Sequence, residues 1–319
     1  MKIDIVICTD TNYIMPCGIL FYSICKNNLM HNIVFHAVID DSVTKTDKEF
    51  LNLTVNQFNM KVEYHLVDGH LFDSFPNLGT GVYVSKATYY RLYLTEILPQ
   101  SIDKILYLDC DMIVRKDIGP LWNIDVSDVA VGVSADGWES KIQIYNRLQY
   151  PYHKGYFNAG MLLINLRYWR ENNVLGRCLD YIEHHFTRIV SHDQDVLNYV
   201  LQDEKAPVGI TYNFLENFLY KSDTALFDYW KYKDEIDAVK NDPAIIHYVA
   251  SKPWNKNCQN PYKDIFLQYK SETLWKGTPL FRHKVSIRSI IKDLLIIFKL
   301  VKPRKDFWDY ASIETLHIV

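Results

Sequence analysis

Glycine and proline are scarce in this chain, 12 and 11 among 319 residues, and no low-complexity tract or fixed-period repeat occurs. That argues against disorder and leaves a chain ordered and globular nearly throughout, long enough for one large domain or two modest ones. Charge of one sign is also lacking. The net charge is −3, so the balance gives no ground for a nucleic-acid partner. The six cysteines (Cys8, Cys17, Cys25, Cys110, Cys178 and Cys258) include no CxxC pair. With Lys2 and Asp4 inside the opening apolar run, the start reads as a strand and not as a removable signal sequence. Reduced thiols in a cytoplasmic protein are the expectation. Upstream of residue 285 no run approaches the ~20 apolar residues of a spanning helix. Tyrosine, by contrast, is plentiful at 23, and serves equally for stacking on flat ligands and for ordinary packing.

Apolar runs at 3–8, 33–39 and 61–67 read as strands. Segments 16–24 and 44–58 between them have helical spacing. Strand, helix, strand, helix, strand at this pitch predicts an α/β protein with a mainly parallel sheet and helices on its faces. A helix at 87–98, stopped by Pro99, and a buried strand at 104–108 follow. Next come a strand at 157–166, a helix at 174–185, a helix at 196–201 opened by His192-Asp193-Gln194-Asp195, and a strand at 245–249 carrying His247. Ligands of such sheets collect beyond the carboxyl ends of the strands. Two polar clusters fall there, Asp10-Thr11-Asn12 and Asp109-Cys110-Asp111.

Two carboxylates spaced i, i+2 after a buried strand can converge on one hard cation if the backbone bends between them. Mg²⁺ or Mn²⁺ takes oxygen ligands and keeps places for phosphate oxygens and water. Such an ion can stabilise a departing diphosphate, and burying two unpaired acids without one is costly. Taken singly, the other candidates have plainer readings. His247 alone is a satisfied core or surface histidine, Asp-Thr-Asn a turn, Arg91 a surface ion pair, and Asp-Gln-Asp a helix cap.

Taken together and in order, these segments resemble glycosyltransferase family 8. The matches are Asp10, Asn12 and Tyr13; Ala87-Thr88-Tyr89-Tyr90-Arg91; Leu106-Tyr107-Leu108-Asp109-Cys110-Asp111; Phe157-Asn158-Ala159-Gly160; His192-Asp193-Gln194-Asp195; and His247 ahead of Lys252-Pro253-Trp254. They run over roughly residues 3–254, and the likeness is nearest to bacterial lipooligosaccharide galactosyl- and glucosyltransferases. The resemblance implies a GT-A fold, a UDP-galactose or UDP-glucose donor, a glycan or glycolipid acceptor, Mn²⁺ (with Mg²⁺ as substitute) and retention at the anomeric carbon. By position it implies Asp109, Asp111 and His247 as metal ligands, and Asp10, Asn12 and Tyr13 against the uridine. Arg91 and Lys252 fall to the diphosphate, and Asn158, Ala159 and Gly160 line the donor sugar. Asp193 takes sugar hydroxyls, and Gln194 lies near the anomeric carbon. Retention leaves two routes, front-face attack or a transient glycosyl-enzyme on Asp195 or Gln194.

Two departures stand out. Val249-Ala250-Ser251 replaces a stretch in which the family usually has Gly, and Lys252 stands five residues after His247 where six is usual. Rival readings are weaker. A haloacid-dehalogenase-type phosphatase places its Asp-x-Asp on the first strand, and a nucleotidyltransferase needs a Gly-rich loop after that strand. A non-catalytic membrane-docked scaffold predicts damaged metal ligands, and all three are present. The expected domains are a catalytic one at 1–257 and a helical extension at 258–319. From 282 to 305 eight Lys/Arg face the single acid Asp293, with Ile287, Ile290, Ile291, Leu294, Leu295 and Phe298 on one stripe. This reads as peripheral attachment to an anionic inner membrane face, the alternative being a helix packed on the catalytic body.

Overall fold

The structure is a computed structural model describing residues 1–68, 75, 87–221, 229–281 and 306–307. The chain opens with β1 (Lys2–Thr9), α1 (Ile14–Asn27), β2 (Asn32–Ile39), α2 (Lys45–Asn56) and β3 (Lys61–Leu66). α2 starts on a capping box in which Thr44 and Asp47 satisfy each other's backbone N–H. Next come α3 (Ala87–Tyr90) and α4 (Leu94–Ile97), then β4 (Lys104–Leu108), β5 (Met112–Val114), α5 (Gly119–Trp122), β6 (Val131–Ala135), α6 (Ile142–Leu148) and β7 (Phe157–Asn165). The remainder is α7 (Leu166–Glu171), α8 (Val174–His185), α9 (His192–Val200), β8 (Lys205–Pro207), β9 (Phe214–Leu215), β10 (Tyr220–Lys221), α10 (Tyr229–Val239), β11 (Ile245–His247), α11 (Lys263–Ser271) and β12 (Asp306–Phe307).

Among the described residues seven strands form the central sheet, in the order β3-β2-β1-β4-β7-β6-β8. Four of its six pairings are parallel, and β7 alone runs against both of its neighbours. Helices cover both faces, which is why β1 and β2 are apolar without alternation. Ile3, Ile5 and Ile7 join α1 and α2 in one core, while Val6 and Cys8 join Tyr90, Leu92, Leu162 and Val196 in the other. Each fully buried Ile or Leu in these layers contributes about 1.5–3 kcal/mol relative to exposure.

The helix expected at 87–98 is interrupted: Arg91–Tyr93 forms a 3₁₀ turn between α3 and α4. The tighter turn coincides with a side chain drawn inward, since Arg91 is buried under the sheet end. The sequence boundary at 257 does not separate two cores. Tyr262, Ile265, Phe266 and Trp275 belong to the same core as α1, and a Cβ on Gly18 would lie 1.9 Å from the Trp275 ring. No described helix is long and apolar enough to cross a membrane. The basic stripe at 282–305 lies outside the described residues.

Candidate active site

A second, three-stranded sheet in the order β5-β11-β9 closes the carboxyl end of β4. β5 begins immediately after Asp111, and its Met112 pairs antiparallel with His247 on β11. The Tyr248 N–H then donates to the Asp111 carbonyl at 2.9 Å. Two segments 136 positions apart are thereby clamped so that their side chains meet. His247 Nε2 stands 3.2 Å from Asp111 Oδ1 and 3.9 Å from Asp109 Oδ2. The three residues form a group whose ligand atoms lie within 4.8 Å of one another.

The groups around this cluster prepare it for a cation. His247 Nδ1 is 2.9 Å from Asn213 Oδ1. The amide oxygen can only accept, so Nδ1 carries a proton and Nε2 is the nitrogen turned to the aspartates. Gly160 leaves the room: a Cβ there would come within 2.3 Å of the His247 ring and 2.8 Å of Asp109 Oδ2. A local irregularity brings Gly160 into position. From Val133↔Leu162 to Ser134↔Asn158 the register shifts, so Ala159, Gly160 and Met161 have no partner on β6, while Met161 still pairs with Leu108 of β4. Oxygen-rich ligands, an oriented imidazole and a cradle kept empty by glycine fit a hard divalent cation.

Arg91 links this cluster to α9. Its guanidinium lies over the Tyr107 ring, 4.4 Å from the centroid, and donates to Asp109 Oδ1 at 2.9 Å and to the Ala159 carbonyl. Its Nε stands 2.9 Å from Asp193 Oδ2 but gives its hydrogen to the Thr88 carbonyl at 3.1 Å. Asp193 Oδ2 is therefore buried beside a positive charge without receiving a hydrogen bond. Burial pushes the Asp193 carboxyl up to about 7, in spite of Arg91 and with Asp109 adding to the rise. Burial would also raise Asp111, but the Lys252 ammonium and His247 outweigh it and hold that carboxyl well below the usual range. Lys252 pairs with Asp111 and donates to the Tyr248 carbonyl at 2.8 Å, so the shorter spacing from His247 still brings it to the cluster.

Beyond Gly160 an amide network fixes the neighbouring wall. Asn158 Nδ2 donates to Asp136 Oδ2 at 2.9 Å and to Gln194 Oε1 at 3.2 Å, and Asn158 Oδ1 accepts from Gly160 N and Asn213 Nδ2, both at 3.0 Å. Gln194 Oε1 also accepts from Ala159 N at 3.0 Å, and Gln194 Nε2 donates to Asp136 at 3.2 Å. Burial raises the Asp136 carboxyl in spite of these donors. α9 enters this wall through His192, whose φ of 49° is left-handed, a conformation that costs a non-glycine residue about 1–3 kcal/mol.

Asp195 is different. It is fully buried and accepts five hydrogen bonds, from Arg147 (2.7 and 3.1 Å), Tyr156 (2.8 Å), Val190 N (2.7 Å) and Ser191 N (2.6 Å). Neither of its oxygens is left to face the cluster. In the first loop Asp10 caps a 3₁₀ turn by accepting from Asn12 N at 2.9 Å, Asn12 is exposed, and Tyr13 meets Trp254 edge to face at 5.8 Å. Two site residues escaped the sequence reading. Asp136 follows the apolar run of β6, so the strand-end rule that flagged Asp109 reaches it as well. Asn213 sits on an irregular segment and carries no signal.

The family model for glycosyl transferase family 8 matches residues 4–258 of this chain. General stress protein A of Bacillus subtilis is 30% identical over 284 residues, spanning 86% of this chain and 96% of that protein. The lipopolysaccharide glucosyltransferase WaaO of Escherichia coli is 29% identical over 326 residues, spanning 99% and 92%. Among solved structures, the galactosyltransferase LgtC in complex with donor and acceptor sugar analogues is similar with a TM-score of 0.77. That likeness has 26% identity and covers 86% of this chain and 99% of the other.

Proposed function

This chain belongs to glycosyltransferase family 8 and is a hexosyltransferase, and from that premise we propose that it moves galactose or glucose from a UDP-sugar to a glycan or glycolipid acceptor, with retention and with Mn²⁺. The likeness to a lipopolysaccharide glucosyltransferase and to LgtC supports an acceptor in bacterial surface polysaccharide synthesis, lipopolysaccharide included. The observation that carries the reading is His247, turned by Asn213 so that its Nε2 faces Asp109 and Asp111 across the space left by Gly160. Those three residues would hold the metal. When bound, Mn²⁺ supplies positive charge to a departing diphosphate.

The remaining roles fall to the chain's own groups. Asp109, Asp111, Asp136 and Asp193 against Arg91 and Lys252 leave two formal negative charges, a deficit that a divalent ion matches. Lys252, drawn to Asp111 in the free protein, is placed to turn to the diphosphate as a point charge. Asp193 keeps an unused acceptor for a sugar hydroxyl, and Asn158, Ala159 and Gly160 border the sugar. Asp10, Asn12 and Tyr13 form the uridine end, with Asp10 stiffening the turn and Tyr13 supplying the ring. Gln194 is held on both sides of its amide, so it orients and does not swing. Because Asp195 is saturated and Gln194 is neutral and tethered, we favour front-face attack, with the diphosphate helping to accept the acceptor's proton. Peripheral attachment through 282–305 is proposed on sequence alone.

The decisive assay is UDP release from a panel of UDP-hexoses with Mn²⁺ and with EDTA. Release that depends on the metal is expected; its absence for every UDP-hexose would reject the reading. Failure to trap a glycosyl-enzyme under turnover is expected, and a trapped sugar on Gln194 or Asp195 would overturn the front-face route. Truncation after Phe281 keeps the packed Trp275 and is expected to release the protein from anionic vesicles while sparing catalysis on soluble acceptors. Unchanged vesicle binding would reject the attachment.

A further inference from the structure

A second cluster of metal-ligating side chains lies on the strands at the β3 edge of the central sheet, on residues that the Asp109 centre does not use. Alternation along β1, β2 and β3 puts Asp4, His36, Glu63 and His65 on one face, with His36 paired to Glu63 and His65 one register step along, beside Val38. We propose that His36, Glu63 and His65 form a binding site for a divalent transition metal of the zinc type, which fastens the edge strand β3 to β2.

The separations suit such an ion. His36 Nδ1 is 3.1 Å from His65 Nε2 and 3.6 Å from Glu63 Oε2, and the three ligand atoms lie within 4.8 Å of one another. Two nitrogens bound tetrahedrally at Zn–N distances of about 2.0–2.1 Å stand about 3.3 Å apart. The protons are also arranged for it. His36 is buried, and its Nε2 stands 3.1 Å from Asp4 Oδ1, whose carboxylate is paired at its other oxygen with Lys2 at 2.9 Å. Asp4 thus holds the proton on Nε2 and leaves a lone pair on Nδ1, the carboxylate–histidine pairing that orients a metal ligand. Lys61 engages Glu63 Oε1, leaving Oε2 turned inward. The His36 lone pair, the Glu63 oxygen and the His65 nitrogen then converge with one hydrogen at most among them.

The two clusters differ in chemistry. Two imidazoles and one carboxylate favour zinc and its neighbours in the transition series, whereas the Asp109 centre, with two carboxylates, suits a harder ion. The position also supplies a purpose, because β3 is the first strand of the sheet order and, among the described residues, pairs only with β2. An edge strand so placed gains from a cross-strand tie.

The test is Zn²⁺ titration of the full-length protein by calorimetry, with thermal melting in parallel. The wild type and Asp111→Asn are expected to share one Zn²⁺ equivalent that His65→Ala loses, and Zn²⁺ should raise the melting temperature of the first two only. Asp4→Asn should weaken that equivalent about 10–100-fold through the histidine it orients. Glu63→Gln, at a partly exposed position, provides a folded variant expected to lose affinity. Wild-type stoichiometry and affinity in both His65→Ala and Glu63→Gln would overturn the proposal. So would loss of the equivalent in Asp111→Asn, which would assign it to the other centre.

Discussion

Around Asp195 each carboxylate oxygen is occupied: Arg147 forks onto both, and Tyr156 and two backbone N–H groups complete the set. Around Asp109 and Asp111, which Arg91 links to Asp193 two residues before Asp195 on α9, carboxylates outnumber cations, and one oxygen of Asp193 is buried without a hydrogen bond. Both regions are acidic and buried, and both were candidates for chemistry. The contrast teaches that burial of an acid does not mark a reactive group. A surplus of unmatched acceptors is the better candidate, because folding alone gives no reason to keep them.

The widest gap between the regions should appear on removing one group from each. Asp111→Ala is expected to lower metal-dependent UDP release by about a thousandfold or more, since several kcal/mol of charge stabilisation is at stake. Its circular dichroism should stay native, because the residue packs no core. Retained Mn²⁺-dependent turnover would break the comparison at its open end. Asp195→Asn should act in the opposite way, on stability. Leaving the Arg147 guanidinium unpaired costs about 3–5 kcal/mol at a buried pair, and the 24% exposure of that side chain points to the lower end. Urea unfolding measures the loss, and Mn²⁺ binding to the folded fraction should be unchanged. A variant as stable as wild type but inactive would make Asp195 the reactive group.

Much of this contrast was legible in residue order. The apolar runs of β1, β2 and β4 located the sheet, and the strand-end rule located Asp109 and Asp111. The likeness of the ordered motifs brought in His247, Arg91 and Asn158. What the sequence hid was geometry made by pairing. No spacing says that β5 and β11 clamp His247 beside Asp111, or that the β6–β7 register shifts at Ala159–Met161. The break at Arg91–Tyr93 was hidden because the apolar pattern of a helix continues through it. The different surroundings of Asp193 and Asp195 were hidden for a related reason. Their partners, Arg91 and Arg147, come from distant segments, and only the fold decides which acid is matched.

Between these extremes lies Gly160, which sharpens the comparison without removing any ligand. Gly160→Ala should place a methyl group where the His247 ring and Asp109 now converge. Mn²⁺ affinity is expected to fall by about 10–100-fold, the range seen when groups that orient ligands are disturbed. Global stability should change far less than in Asp195→Asn. Calorimetric Mn²⁺ titration checks this, and unaltered affinity would mean that the cradle is not where the ion sits.

The effect of Asp193 is confined to one pH window, and its sign is fixed by linkage. Burial raises this carboxyl from 3.8 to about 7 in the folded chain, so the folded state binds the proton more tightly than the unfolded state does. The resulting stability is fully present below the unfolded value and drains away as pH rises through the folded one. In metal-free protein Asp193 should therefore subtract stability between about pH 4 and pH 7, against the usual trend of a paired acid. Asp111 has the opposite sign, its depressed carboxyl losing stability only as pH falls below the ordinary range. Asp193→Asn should flatten the decline in urea midpoint across that window. Mn²⁺ should shrink the decline in the wild type, because a nearby dication favours the ionised form. Equal slopes in wild type and Asp193→Asn, with EDTA present, would show that the acid is matched after all and belongs with Asp195.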